Sequence, residues 1–225
     1  MSKGIRIVIA LLVIVAAVNA LKFFSGRYLA AAEAHAKAAK PPDFIAMGKA
    51  SIAQQEAEAV KRYPNLPREE ALQRYGQDRA RAQLAGTTGS DRVTKAAQLF
   101  HGFYIGNTMV RAKWCAANGG DLAAFMSAFR MQYGFEATLA QSEITKVVPD
   151  IDHFNYQVSE AMKDLIDRDM RSMAAEAGVP PDQLCAFLNE HALQIVPNIP
   201  SPPGAREILR ASAGLPREFA APAGP

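Results

Sequence analysis

Two cysteines, four histidines and one tryptophan are all that this chain of 225 residues carries of those types, and the scarcity excludes several chemistries at once. Neither cysteine lies in a CxxC pair or beside a histidine in sequence, so a dithiol redox motif and a CxxCH haem attachment are absent. His35, His101, His153 and His191 form no HExxH or Glu-x-x-His pair, the spacings by which a helix presents two metal ligands on one face. Neither GxSxG nor SxxK occurs, and "NGGDL" at 118–122 lacks the lysine of a phosphate-binding loop. No cofactor, metal or catalytic motif is therefore expected. Alternating apolar and polar runs are missing as well, which removes the signature of half-buried strands. Nor does one sign of charge dominate: 25 Lys and Arg stand against 22 Asp and Glu, so net charge marks out no nucleic-acid partner.

Against these absences stands one long apolar run. "RIVIALLVIVAAVNALKFF" covers residues 6–24, and two fates fit it. Lys3 and Arg6 ahead of the run, with Val18-Asn19-Ala20 behind it, match a signal peptide cleaved after Ala20. A helix over residues 4–24 would instead span about 31 Å at ~1.5 Å per residue, the thickness of a bilayer core, with Arg6 and Lys22 snorkelling at its ends. The retained anchor is the working expectation. Charges flanking the run do not set its orientation, because Lys22, Arg27, Lys37 and Lys40 rival Lys3 and Arg6.

Cys115 and Cys185 supply an argument for orientation. As an even number within the region read as the folded core, they are expected to form a disulfide. Closing that 70-residue loop would stabilise by about 4 kcal/mol in the chain-entropy picture. Such bonds persist in oxidising compartments, which places the main domain in the periplasm of a single-pass inner-membrane protein, or free in the periplasm or medium after cleavage.

The remaining pattern reads as all-α. Residues 1–28 form the anchor or signal segment, and 29–90 an Ala-rich basic helical stalk and linker, with 13 Lys and Arg against 7 Asp and Glu over residues 1–90. A compact bundle of four or five helices occupies 91–197. Its first helix is expected over 91–117, capped by Ser90 or Asp91 and closed at Asn118 and Gly119. The next starts at Asp121 and is expected to kink or break at Gly134. An amphipathic helix follows over 150–177, with Ile151, Phe154, Val158, Met162, Leu165, Ile166, Met170 and Met173 on one face. Asp164, Asp167 and Asp169, near Arg168 and Arg171, read as its solvated face. Six of the 14 prolines fall in the tail, 198–225, which leaves room only for a short helix over 205–213.

Two places merit attention as sites. Gly102 and Gly106 give a GxxxG spacing in an apolar helix, where either an internal helix or a partner helix could approach closely. His153, Glu190 and His191 could meet across two helices as an acid/base or metal cluster, although solvated helix ends explain them better, since no ligand spacing is satisfied. The function expected from these features is a non-enzymatic, envelope-located interaction protein: an accessory, chaperone-like or immunity-type component that binds another protein. A ligand or metal carrier, or an enzyme, with its site between bundle helices is the first alternative. A spacer tethering the tail to the membrane is the second.

Overall fold

The computed structural model describes residues 43–215, which contain helices and no strand. The apolar run at 4–24, residues 29–40 and the end of the tail lie outside the described residues. Among those described, no helix is long and apolar enough to cross a membrane.

Helices α1 (Phe44–Arg62) and α2 (Arg68–Ala85) form a hairpin. Asp43 caps α1 by accepting from the Ala46 N–H at 2.9 Å, and Lys61 and Arg62 sit where the helix dipole favours cations. Pro64 and Pro67 then prevent α1 from continuing. Fully buried Ala59, Ala71 and Ala80 permit close packing, and tyrosine-to-carboxylate hydrogen bonds link the pair: Tyr63 donates to Asp78 and Tyr75 to Glu58. The hairpin lies on the helix α6 (Ile151–Ala177), where Glu56 receives both Arg68 of α2 and Arg168 of α6. The second half of the expected stalk thus rests on the core itself, contributing Ile52, Leu72 and Leu84 to it.

Residues 89–117 form one rod with a defect. Helix α3 (Gly89–Ile105) passes into a π turn (Gly106–Val110) and then α4 (Arg111–Ala117). Its start differs from expectation: Thr88 is the cap residue, and neither Ser90 nor Asp91 takes that place. Widening a helix to i→i−5 bonds strands carbonyl groups. Here side chains answer them, since Asn107 Nδ2 donates to the Phe103 carbonyl at 2.9 Å and the Thr108 hydroxyl to that of Tyr104 at 2.7 Å. At the end of α4 the left-handed residue is Gly119, φ +79°, while Asn118 keeps a negative φ of −106° and donates its side-chain amide to the Trp114 carbonyl.

Helix α5 (Ala123–Thr145) continues unbroken through Gly134, where a kink or break was expected. Contacts on both sides of Gly134 hold it: Tyr133 donates to the Ile199 carbonyl at 2.5 Å, and buried Glu136 receives Arg206 and Arg210 at 3.1 and 3.0 Å. Asp121 starts α5 from one residue earlier than an N-cap, accepting from the Ala123 N–H. Helix α6 matches its expected span, opened by Asp150 and closed by left-handed Gly178. After it come α7 (Leu184–Glu190) and the single turn α8 (Ala192–Ile195). Helix α9 (Ala205–Ser212), in the expected position, packs on α3 and α5. Ile199, Ala205 and Leu209 are buried, so this part of the Pro-rich tail belongs to the same core as the bundle.

Candidate functional site

Where the rod meets α6, the interface is polar to an unusual degree for a helical core. His101 is buried and shares a 2.8 Å hydrogen bond with Asn155. Burial holds its imidazole below the ordinary histidine range, the Asn155 bond opposing only in part, so the ring stays neutral. Further along, Arg111 and Asp169 form an ion pair at 2.6 Å in which the side chains are 1% and 6% exposed. Burial pushes the Asp169 carboxyl up while the Arg111 guanidinium pulls it back. Asn107 Oδ1, Arg111 Nε and Gln157 Oε1 are buried without hydrogen-bond partners among the described residues. A seam of this kind is poor evidence for stability, because desolvating the charges offsets most of their attraction.

Beside the pair, α4 and α6 part to leave a cleft of about 500 Å³. Its apolar part is Val110, Trp114, Ala117 and Ile166. The Trp114 indole donates to Asp167 at 2.9 Å, and Asp167 also receives Arg171. The Arg171 bond, then the indole, hold the Asp167 carboxyl below the usual range. The far end of α4 is fastened by the Cys115–Cys185 disulfide, with Cα atoms 5.8 Å apart. Gly120 fits against it: a Cβ there would lie 3.1 Å from the Cys185 Cβ.

The residues singled out from sequence are placed as follows. Cys115 and Cys185 are joined, as expected. Gly102 and Gly106 are buried, and the π turn that Gly106 opens packs on α6. His153 lies in the first turn of α6 and shares a hydrogen bond with Gln157. Glu190 and His191 end α7, which follows the other end of α6, and the His191 ring packs on Phe187 with centroids 4.5 Å apart. Among the described residues no hydrogen bond, ion pair or ring contact joins His153 to the other two, and no group of three or more His, Cys, Asp or Glu is placed to hold a metal ion.

Arg111 and Asp169 were missed from the sequence, and Asp169 corrects the reading of a solvated acidic run: it is buried while Asp164 is exposed. A usable signal was present, because Asp169 is three and four residues from Ile166, Leu165 and Met173 and so shares their buried face. Trp114, the chain's one tryptophan, is buried in the core and also borders the cleft.

Fold and site together define an all-α, disulfide-bonded helical domain with a polar inter-helix seam. No family model, no curated protein and no solved structure matches the chain.

Proposed function

We propose that this chain is a non-enzymatic, envelope-located interaction protein whose α5 helix docks a partner protein. The observation that carries the reading is the outward face of α5. Between residues 123 and 142 its charged residues are Arg130 and Glu136, and Glu136 is buried against α9. What faces outward is Arg130 with Met131, Phe135 and small residues, Met131 being 72% and Phe135 50% exposed. Outward helix faces are ordinarily charged, and an apolar one marks a surface that is covered in use. Arg130 donates to the Met126 carbonyl and has no carboxylate partner among the described residues. The partner this face suits is therefore an apolar helix carrying one carboxylate to meet Arg130.

The envelope location rests on the disulfide and on the apolar run that precedes the described residues. A photocrosslinking residue at position 131 or 135, introduced into the full chain in its own cell envelope, tests the docking face. The same single adduct is expected from both positions, lost on Arg130→Glu, and absent when the crosslinker replaces exposed Val60 of α1. An adduct insensitive to Arg130→Glu, or one equally strong from position 60, would sink the reading. Intact mass under non-reducing conditions tests the location: a species two hydrogens lighter than the dithiol is expected, and free thiols would turn the domain toward a reducing compartment.

A further inference from the structure

We propose that the cleft between α4 and α6 binds a small molecule with an apolar body and a single carboxylate. The site is distinct from the α5 face and stands without it. At about 500 Å³ the cleft has the size of ordinary small-molecule sites, which combine an apolar lining with a few fixed polar groups. The lining is Val110, Trp114, Ala117 and Ile166. The polar groups decide the class of ligand. Of the cleft's acids, Asp164 is taken by Lys49 at 2.9 Å and Asp167 by Trp114 and Arg171; of its bases, Arg168 is taken by Glu56. Lys113 donates to the Ser159 hydroxyl at 3.0 Å and stands 3.9 Å from Glu160. Lys163, exposed at the rim, has no acid within ion-pair distance among the described residues. One uncommitted positive charge above an apolar floor selects a monoanion with an apolar body.

A second feature supports a site here. Val110 closes the π turn and also lines the cleft. One-turn π insertions re-phase the side chains that follow them and occur frequently at functional sites. The turn is the reason α4 leaves the register of α3 just before Lys113 and Trp114.

Trp114 is the sole tryptophan, so its emission reports on the cleft. The full chain, folded as judged by circular dichroism, is titrated with 4-phenylbutyrate, and in parallel with 4-phenylbutanol and 4-phenylbutylamine. A saturable change with the carboxylate is expected, at least tenfold tighter than with the alcohol or amine. Lys163→Gln should weaken it about tenfold, and Ala117→Phe, which fills the cleft from an exposed position, should abolish it. Equal affinity for the three probes, an unchanged affinity in Lys163→Gln, or no saturable change would each overturn the proposal. Loss of α5 crosslinking with intact binding here would separate this result from the docking face.

Discussion

Toward α5, the rod of residues 89–117 presents Phe100, Phe103 and Tyr104 to Phe129 and Tyr133, with ring centroids 4.7–6.3 Å apart across the cluster. Toward α6, the same rod presents His101, Arg111 and Trp114 to Asn155, Asp169 and Asp167. The aromatic side is held by area and shape, which are tolerant of direction. On the polar side, each group depends on one partner in one register, so errors there are costly even where the net gain is small. The contrast suggests a division of labour in which one side supplies cohesion and the other fixes how α6 sits.

The comparison is broken most severely by removing one member of a pair. Asp169→Ala leaves Arg111 buried and uncompensated and should cost about 3–5 kcal/mol in denaturant unfolding. Replacing both, Arg111→Met with Asp169→Leu, should restore most of that loss. A double variant as unstable as the single would mean the charge pair itself supplies cohesion. On the aromatic side Phe129→Ala should also cost about 3–5 kcal/mol, and there no second substitution of similar chemistry should rescue it. The disulfide is next: Cys115→Ser with Cys185→Ser should lower stability by about 2–5 kcal/mol, measured against wild type under oxidising conditions.

A smaller and more selective effect separates the sides by pH. Because His101 is held neutral in the fold, its folded-state pKa lies below the unfolded value of about 6.5. The unfolded chain then binds more protons between the two values, and stability is lost as pH falls below about 6.5. His101→Gln should flatten that slope in melts recorded at successive pH values, whereas Phe129→Ala should shift the curve without flattening it. Asp169 has the opposite sign. With its folded pKa raised, its contribution is fullest at low pH and declines as pH rises through the folded value. Asp169→Asn should remove that decline.

The smallest expected effect is a gain. Gly134 lies in α5 with ordinary helical backbone, and a Cβ there meets nothing closer than 3.9 Å, at the Arg130 Cβ. Gly134→Ala should therefore raise stability by about 0.4–1 kcal/mol through the unfolded state. A loss would show that α5 uses the flexibility of that position.

Much of the fold was legible because it is written in local chemistry. The span of α6 followed from an apolar face at helical spacing between Asp150 and Gly178, and the disulfide from two cysteines in one apolar region. The same local reading failed at Gly134, since a glycine weakens a helix by an amount that Tyr133 and Glu136 offset through residues 63–74 positions away. It failed at Asp169 because an acid among acids reads as solvent-facing until the helix is docked. The cleft was invisible for a related reason: its walls come from two helices separated by the whole of α5.

The sequence by itself determined an all-α chain, where α6 starts and stops, and which cysteines were available to pair, because periodicity, caps and turns act within a few residues. Only the tertiary structure decided that the hairpin of α1 and α2 rests on α6, that Glu136 holds α9, and that Arg111 meets Asp169. Those contacts join residues 58–115 positions apart. Their energies depend on burial and on a single partner, and neither exists until the helices have packed.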